Sequence, residues 1–360
     1  MTQLDTGPAT RDFGSSVIAW HRRDGRHHLP WQKVDDPYRI WLSEIMLQQT
    51  QVGAVVPYFE RFVARFPTLR DLARATEDEV LAVWSGLGYY ARARNLHRAA
   101  KLVEDAHGGR FPTRFEDILA LPGIGRSTAG AIAVFAFGQR FPILDGNVKR
   151  VLTRCFGVEG YPGARDVAER LWTLAERLLP ETEIKAYTQG LMDLGAGVCT
   201  RSRPHCPKCP LSGQCAARSL DRVDEIPTPR PRKPRPQRST VMLIMQCDGH
   251  VLMEKRPSPG IWGGLWSFPE TDDVENVARI CLARFGVEAQ SVAPLAPIEH
   301  GFTHFSLTIS PVHCRVDRRN PRAQESGWIW IAPDEALQNA IPVPVRKLVS
   351  QLHASRGDEG

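Results

Sequence analysis

Hydrophobic residues recur at helical spacing through the first part of the chain. The runs from Trp41 to Phe59 and from Val167 to Leu178 place apolar residues three or four positions apart, which is the spacing of one helix face. Prolines separate such runs, and alternation of polar and apolar residues is scarce. We therefore predict an all-α domain over residues 1–222.

The pattern then changes to one that is typical of strands. Thr240–Gln246 is a β-rich run, and the Asp-Gly pair at 248–249 is a hairpin-turn dipeptide. Two further strands are predicted over Phe305–Ile309 and Trp328–Ile331. Together with one amphipathic helix that ends at Gly286, these strands predict a small α+β domain over residues 239–360.

One amphipathic helix is predicted between these strands, ending at Gly286. Its apolar face is expected to carry Val274, Val277, Ala278, Cys281, Leu282 and Phe285.

Residues 223–238 separate the two predicted domains. Five prolines alternate with arginine and lysine in this stretch, so it cannot form a helix or a central strand. We predict an extended, semi-rigid, cationic linker. It is either a disordered spacer or a tether that lies along DNA.

Composition and charge narrow the class of protein. A chain of 360 residues favours two domains, and its net charge of +6 favours a polyanionic partner. There is no signal-peptide pattern and no apolar run of membrane-spanning length. Four scattered cysteines show no pairing pattern, which is typical of a reducing compartment; they are Cys155, Cys247, Cys281 and Cys314. We expect a soluble, cytoplasmic protein.

The other four cysteines form a short motif. Cys199, Cys206, Cys209 and Cys215 read C-x6-C-x2-C-x5-C, and thiolates are ligands for soft metals and iron–sulfur clusters. Two disulfides are an alternative, which a reducing compartment disfavours. Zinc is a closer alternative, but structural zinc sites usually combine two short knuckles, and only one is present. The spacing favours an iron–sulfur loop.

A glycine-rich turn lies between two predicted helices. Gly123 and Gly125, in LPGIGRSTA, permit a tight hairpin whose N–H groups lie at the start of the next helix. Such a turn can bind a DNA phosphate, or it can simply connect two helices. Asp145 follows in ILDGNVKRVLTR. A helix-hairpin-helix followed by such an aspartate is typical of a DNA glycosylase superfamily.

Several long motifs now identify a family. They are LPW at 29–31, WLSEIMLQQTQV at 41–52, SGLGYYARARNLH at 85–97, LPGIGRSTAGAI at 121–132, PILDGNVKRVL at 142–152 and the cysteine motif. Together they resemble the adenine DNA glycosylases of the MutY type over nearly the whole chain. This family removes adenine mispaired with 8-oxoguanine or guanine in duplex DNA.

The resemblance implies an architecture and partners. It implies a helix-hairpin-helix glycosylase domain with a [4Fe-4S] cluster on the four cysteines, followed by a Nudix-like domain. The implied partner is double-stranded DNA that contains these mispairs. We expect a monomer without membrane association.

The reaction calls for two carboxyl groups in different protonation states. Glu44 lies in an apolar helical run beside Ile45, Met46 and Leu47, so burial is expected to keep it protonated. Asp145 precedes a new helix, whose N–H groups are expected to keep it ionised. Taken alone, these residues would be better explained as an exposed helix glutamate and a simple N-cap aspartate. The resemblance implies that Glu44 protonates adenine and that Asp145 stabilises or bonds the sugar cation.

Ser127 separates two activities. In related bifunctional glycosylases a lysine at this position forms a Schiff base and cleaves the strand. Because Ser127 has no amine, we expect the reaction to stop at the abasic site. Its hydroxyl would line the pocket or bond to its own helix.

Further residues are expected to contact a flipped-out adenine and its estranged partner. The resemblance places Gln49 and Tyr89 beside 8-oxoguanine, with Gln48 as another candidate, whereas Tyr90 is expected to pack in the core. It places the following residues around adenine: Trp31, Leu47 and Gln189.

The C-terminal domain resembles a Nudix domain through LMEKRPSPGIWGGLWSFPE at 252–270. A Nudix hydrolase needs acidic helix residues for magnesium, but Ile280, Ala283 and Arg284 stand at those positions. We therefore expect a domain that reads 8-oxoguanine without hydrolysing nucleotides. The family's Phe-Ser-His loop corresponds to Phe302, Thr303 and His304, where threonine adds a methyl group. His304 could instead be a strand histidine on a solvated face.

Three other functions are less consistent with the sequence. A bifunctional pyrimidine-lesion glycosylase conflicts with Ser127 and with the second domain. A catalytically inactive iron–sulfur DNA-binding protein conflicts with Glu44 and Asp145. A Nudix hydrolase with an added DNA-binding domain lacks the required glutamates.

Overall fold

The chain folds into two compact units. The computed structural model describes residues 9–231, 234–258, 260–319 and 327–357. One unit combines Met1–Ala73 with Arg98–Arg232, and the other combines Arg74–His97 with Lys233–Gly360. The second unit therefore includes a segment that the sequence assigned to the N-terminal domain.

The described part of the chain up to the linker is helical. Its α-helices are α1 Ala9–Asp24, α2 Pro37–Leu47, α3 Val52–Arg65, α4 Leu69–Arg74, α5 Glu77–Trp84, α6 Ala91–His107, α7 Phe115–Ala120, α8 Arg126–Phe137, α9 Gly146–Cys155, α10 Arg165–Arg177, α11 Ile184–Asp193 and α12 Ala216–Ser219. A π-helical turn, Leu194–Val198, continues α11, and short 3-10 turns lie at Pro30–Gln32, Cys206–Lys208 and Ser212–Gln214.

The predicted run from Trp41 to Phe59 is two helices. Asp36 caps α2 by accepting a hydrogen bond from the N–H of Tyr38, and Pro37 occupies its first turn. The helix ends before Gln49, whose φ of 58° is left-handed. Pro57 lies inside α3 and does not separate helices. Apolar residues keep helical spacing on both sides of Gln49, so the sequence pattern did not reveal this break.

One hydrophobic cluster of the helical unit is formed by α1, α9, α10 and α11. Val167, Leu171, Leu174 and Leu178 are all buried in it, as their spacing predicted. A buried apolar side chain of this size contributes roughly 1.5–3 kcal/mol. This core fixes the N-terminus of α9, which begins directly after Asp145.

The second unit contains a mixed sheet. Its described strands are β1 Gln237–Cys247, β2 His250–Lys255, β3 Trp266–Ser267, β4 Glu270–Thr271, β5 Ala289–Pro294, β6 Ile298–Gly301, β7 Ser306–Val316 and β8 Trp328–Ile331. The order along the sheet is β3-β2-β1-β7-β5, with β4 beside β1, β6 beside β7 and β8 beside β2. β1 and β7 are parallel, and the other pairs are antiparallel.

Three further α-helices follow the linker in the described residues: α13 Val277–Phe285, α14 Pro333–Ala336 and α15 Val343–Gly357. α13 ends at Gly286, whose φ is 65°. Its buried face is narrower than predicted and consists of Val277, Cys281 and Phe285. The other members of the predicted face are exposed, and Val274 precedes the helix. The α+β class is confirmed, whereas the predicted face was wrong for Val274, Ala278 and Leu282.

The linker is anchored at both ends. Residues 223–225 form a turn, Ile226 is buried, and Arg154 donates a hydrogen bond to its carbonyl at 2.7 Å. Gln237 and Arg238 already belong to β1. Of the predicted linker, Arg232 and Lys233 lie outside the described residues, as does Pro259 of the Nudix-like motif. The prediction of an extended spacer was therefore too long at both ends.

Among the described residues, none of the helices is long and apolar enough to cross a membrane.

Candidate active site

A pocket of about 280 Å³ opens in the helical unit. Glu44 on α2, Trp31 and Gln189 on α11 contribute to its walls. Leu47, which the resemblance also placed near adenine, is not part of its lining. The structure thus brings together three of the four predicted residues in a cavity suited to a flat base.

Glu44 is a partly exposed residue of α2 that is surrounded by deeply buried neighbours. Trp41, Ile45 and Met46 around it are at most 2% exposed. Burial, and secondarily the charge of Asp145, raises the pKa of the Glu44 carboxyl to about 8. The carboxyl is therefore largely protonated at neutral pH, as the apolar sequence around it predicted.

Asp145 is the N-cap of α9. Its Oδ1 accepts a hydrogen bond of 2.7 Å from the N–H of Val148, and the Asn147 amide donates to its Oδ2 at 3.4 Å. These donors and the Arg150 guanidinium lower the pKa of the carboxyl, but burial acts more strongly and raises it. The predicted N-cap is present, whereas the expectation that the helix N–H groups keep Asp145 ionised took no account of this burial.

Ser127, in the first turn of α8, supports the loop before Asp145. Its Oγ accepts a hydrogen bond from the N–H of Leu144 at 2.9 Å. The contact therefore joins α8 to the next segment, which neither sequence-based alternative anticipated. Since Leu144 is buried and directly precedes Asp145, Ser127 positions the loop of the carboxyl group.

The predicted hairpin is present between α7 and α8. Gly123 has a φ of 82°, a left-handed conformation that favours glycine, and Gly125 caps α8. The Gln48 amide donates to the Gly123 carbonyl at 3.3 Å and to the Thr128 hydroxyl at 3.2 Å. Gln48 is thereby tied to the hairpin, whereas Gln49 is exposed.

The four motif cysteines converge on one cavity. Cys199, Cys206, Cys209 and Cys215 all line it, and none forms a disulfide. Burial and the neighbouring sulfurs raise the pKa of Cys209 to about 11, so this thiol needs a bound cation to ionise at neutral pH. No cluster of three His, Cys, Asp or Glu residues in the described ranges is close enough for one metal ion. A polynuclear cluster spaces its cysteines further apart, one to each iron.

Two arginines of α9 brace this cysteine loop. Arg150 donates to the carbonyls of Cys199 at 2.7 Å and Gly195 at 2.6 Å. Arg154, which is 3% exposed, donates to the Thr200 carbonyl at 2.7 Å, and its guanidinium lies 3.4 Å from the Cys199 sulfur. The same helix therefore carries Asp145 at its start and holds the cysteine loop further along.

The sequence interpretation missed a polar network beside the pocket. The buried carboxylate of Asp193 accepts hydrogen bonds from Arg26 and from the Gln189 amide, each at 2.8 Å. His21 and His27, whose rings are 4.6 Å apart, also line the pocket. The four-residue spacing of Gln189 and Asp193 on a helix was the available signal.

The second unit presents Thr303 and His304 at the tip of a tight turn. The N–H of Phe302 donates to the Phe305 carbonyl at 2.9 Å, and the two residues between them are exposed. His304 therefore lies in this turn and not in a strand. The Tyr89 hydroxyl lies 3.2 Å from the Thr303 hydroxyl.

Tyr89 and Tyr90 differ as predicted. Tyr89 is 46% exposed with a left-handed φ of 47°, whereas Tyr90 is 9% exposed. Behind the turn, Trp262 and His300 pack against Phe302, with ring centroids 5.5 and 4.7 Å from it. The sequence interpretation did not single out either of these two residues.

The Nudix-like helix offers no carboxylate, as predicted, but two carboxylates lie near it on strands. Arg284 of α13 donates to both oxygens of Glu254 at 2.6 and 2.8 Å. Arg256 pairs with Glu270. An arginine on each carboxylate opposes the binding of a divalent cation there.

Family comparisons agree with this division. Residues 42–177 match the HhH-GPD superfamily base excision DNA repair proteins, and residues 240–351 match the NUDIX domain.

Similar proteins extend from bacteria to mammals. The adenine DNA glycosylase of Buchnera aphidicola from Acyrthosiphon pisum is 35% identical over 94% of this chain and 97% of its own. The Homo sapiens adenine DNA glycosylase is 31% identical over 93% of this chain and 73% of its own.

Solved structures resemble the helical unit. A thermostable thymine-DNA glycosylase is 32% identical, with a TM-score of 0.54 over 59% of this chain and 97% of its own. A non-covalent Endonuclease III–DNA complex has a TM-score of 0.50 at 23% identity, over 59% of this chain and 95% of its own. The second likeness concerns the fold alone.

Proposed function

The chain belongs to the adenine DNA glycosylases of base excision repair, and on that premise we propose its substrate and mechanism. The substrate is adenine mispaired with 8-oxoguanine or guanine in duplex DNA, and the protein hydrolyses its N-glycosidic bond. The observation that carries this proposal is the pair Glu44 and Asp145. Burial raises the pKa of both carboxyl groups, but only Asp145 accepts hydrogen bonds from neighbouring amides.

Glu44 is the general acid of the proposed reaction. Cleavage leaves negative charge on the departing adenine, and a carboxyl with a pKa of about 8 still carries its proton at pH 7. Its place in the pocket wall beside Trp31 allows it to reach a ring nitrogen of a bound base. An adenine inside the duplex cannot reach this pocket, so the base must first be flipped out of the stack.

Asp145 is the carboxylate that faces the sugar. Two neighbouring amides donate to it, whereas no hydrogen bond reaches the Glu44 carboxyl from the described residues. When the two carboxyls compete for one proton, the group with donors loses it first. Asp145 then stabilises the cation that forms on deoxyribose, or bonds to it covalently.

The reaction ends at the abasic site. A lyase step requires an amine that forms an imine with the sugar, and Ser127 cannot provide one. Its Oγ is instead occupied by the N–H of Leu144. We therefore assign a monofunctional glycosylase.

The four converging cysteines hold a [4Fe-4S] cluster in this proposal. Thiol ligands, the absence of disulfides among them and the Arg154 guanidinium beside Cys199 are suited to a cluster of negative overall charge. When bound, the cluster supplies ligation energy that pins the cysteine loop. The residues of the loop and its basic neighbours then contact DNA phosphates.

Contacts to DNA are divided between the two units. Gly123 and Gly125 present the hairpin to a phosphate, and the exposed Gln49 lies beside the estranged base. Trp31 and Gln189 surround the adenine. Leu47, which was also expected near the adenine, lies outside the pocket lining and is not assigned to this contact.

The second unit reads the oxidised guanine. Phe302, Thr303 and His304 form the exposed turn, and the exposed Tyr89 reaches its hydroxyl. Both segments lie in one compact unit, which supports their action on a single base. The arginine pairs of Glu254 and Glu270 support a reader without nucleotide hydrolysis.

The domain boundaries and setting complete the proposal. The proposed domains are residues 1–222 and 239–360, joined by residues 223–238, of which 223–225 form a turn and 237–238 belong to β1. The segment 74–97 folds with the second of these domains. The protein acts as a monomer on DNA in a reducing cytoplasm, where eight cysteines remain outside disulfides.

Single-turnover base release tests this function. Duplexes carry adenine opposite 8-oxoguanine, guanine or thymine, and each product is analysed with and without alkali. We expect fast release opposite 8-oxoguanine, slower release opposite guanine, and strand breaks only after alkali. Equal rates on all three duplexes would contradict the proposed specificity. Strand breaks in neutral buffer would contradict a monofunctional enzyme.

A further inference from the structure

In the polar network beside the pocket, Asp193 accepts the hydrogen bonds and its neighbours donate them. Gln189 and Asp193 lie four residues apart on α11, and the Gln189 Nε2 donates to Asp193 Oδ1 at 2.8 Å. The Asp193 side chain is 3% exposed. A buried charge needs a partner, and Arg26 provides one through its side-chain Nε and its backbone N–H, both at 2.8 Å.

This network determines which end of the Gln189 amide faces the pocket. An ionised carboxylate only accepts hydrogen bonds, so the NH₂ end of the amide must point toward Asp193. The carbonyl oxygen then points away from it, and it has no hydrogen bond to the described residues. His21 does not compete for Asp193, because its Nε2 lies 3.9 Å from the carboxylate and burial lowers the pKa of the ring.

We propose that Asp193 is a positioning residue that makes the pocket selective for a 6-aminopurine. Held by Arg26, it turns the Gln189 carbonyl oxygen toward the bound base, where this oxygen accepts a hydrogen bond from an exocyclic amine. A 6-oxopurine such as hypoxanthine would place a second acceptor there and be disfavoured. This inference rests on the proposed excision of a flipped adenine.

The first test is Asp193→Asn. The new amide can donate to the Gln189 oxygen, which would turn the Gln189 NH₂ group into the pocket. Single-turnover rates are measured with adenine, hypoxanthine or unsubstituted purine opposite 8-oxoguanine. A base-edge contact is worth about 1–3 kcal/mol, so we expect the adenine-to-hypoxanthine rate ratio to fall about tenfold or more. An unchanged ratio in the folded variant would overturn the inference.

The second test removes the whole buried pair. If Asp193→Asn alone does not fold because Arg26 is left unpaired, the double variant Arg26→Met with Asp193→Asn leaves no buried charge. It should show the same fall in the rate ratio. Retention of the wild-type ratio by this double variant would also overturn the inference.

Gln189→Met provides the control within the pocket. It removes the amide, so the addition of Asp193→Asn should not change the rate ratio further, and any further change would mean that Asp193 acts by another route. Asp24→Asn, the same chemical change in an exposed ion pair with Arg23, should retain the wild-type ratio. A wild-type protein that releases adenine from none of the duplexes would contradict the proposed function itself. Normal release with an unaltered ratio in the variants contradicts only the role of Asp193.

Discussion

At the scale of single residues, the pKa values of the Glu44 and Asp145 carboxyl groups shift in the same direction, but the hydrogen-bond donors around the two groups differ. Burial raises the pKa of both Glu44 and Asp145, and only Asp145 has a cap position that offsets this effect. The division of roles therefore comes from a few local N–H groups. This difference leads to two predictions on Glu44.

Replacement of Glu44 by glutamine should nearly abolish adenine release. The change removes the transferable proton while it preserves the shape of the side chain, and general acid catalysis is worth roughly 10²–10⁴-fold. Single-turnover rates should fall by at least this range, with duplex affinity nearly unchanged. In the wild type, the rate should decline as the pH rises through about 8, where Glu44 loses its proton. Wild-type rates in the variant would exclude the mechanism.

Glu44 should also make the protein less stable as the pH rises. The pKa of Glu44 is about 8 in the folded chain, whereas the ordinary value of 4.5 applies to the unfolded chain. Between these two pH values the folded state holds a proton that the unfolded state has lost. Stability then falls with rising pH across this window. We expect the Tm advantage of Glu44→Gln over the wild type to grow from pH 5 to pH 8, measured by calorimetry. A constant difference would argue against the raised pKa.

Ser127→Ala should slow the reaction through the loop of Asp145. The change leaves the buried N–H of Leu144 without its partner at 2.9 Å, at a cost of about 1–3 kcal/mol. The Tm should fall accordingly, and base release should slow more than duplex binding weakens. Ser127→Thr keeps the acceptor oxygen and should restore both. If Ser127→Ala retains full rate and Tm, the hydroxyl does not position this loop.

At the scale of elements, α9 connects the carboxyl site with the cysteine loop. Asp145 caps its N-terminus, and Arg154 near its C-terminus bonds to Thr200, Arg201 and Ile226 carbonyls. A single helix therefore orders parts of the chain that are far apart in sequence. This arrangement predicts that the helix helps to retain the cluster.

Arg154→Ala should weaken retention of the proposed cluster. It removes a buried side chain that donates to three carbonyls of the loop and linker, so those acceptors lose their partners. The purified variant should contain less iron and bleach faster in air than the wild type, which should be yellow-brown with about four irons per chain. Arg165→Ala, which breaks only an exposed pair with Glu169, is the matched control. Zinc without iron in anaerobically prepared wild type would overturn the cluster assignment.

Local pattern predicted most elements but not their ends. The cap at Asp145 and the Asp-Gly turn act within a few residues, so the sequence reveals them. The break at Gln49 depends on a left-handed backbone conformation, and the exposure of Leu282 depends on what packs over α13. Both are set by tertiary structure, to which periodicity is insensitive.

The polar network was missed for a similar reason. Asp193 and Arg26 are 167 positions apart in the sequence, and nothing local shows that they meet. The resemblance supplied Gln189 as a pocket residue, but the direction of its amide follows only from the structure. A residue's identity could thus be predicted, whereas its orientation could not.

At the scale of the whole molecule, the compact units do not follow the order of the chain. The segment that contains α5 folds with the sheet: Asp78 pairs with Lys255 at 2.7 Å, and Arg94 donates to the Gly263 carbonyl at 2.6 Å. An arrangement of this kind brings Tyr89 to Thr303 within one unit. We therefore expect lesion reading and base removal to be separable by mutation.

Replacement of both Thr303 and His304 by alanine tests this separation. These residues form the exposed tip of the turn, so their loss should leave the fold intact but reduce the preference for 8-oxoguanine over guanine opposite adenine. A lost base-edge contact is worth about 1–3 kcal/mol. Thr308→Ala, which removes a hydroxyl from β7 outside the turn, should leave the preference unchanged.

The same double variant should hardly change the salt dependence of DNA affinity. Phosphate contacts supply most of the affinity, and neither residue is a lysine or arginine that neutralises a phosphate. Binding and single-turnover rates on both mispairs across a salt series therefore separate the two contributions. Parallel salt slopes with a reduced preference would support a reader in the second unit. If the full preference persists, residues 239–360 act as a tether, and 8-oxoguanine is recognised by residues 1–222 alone.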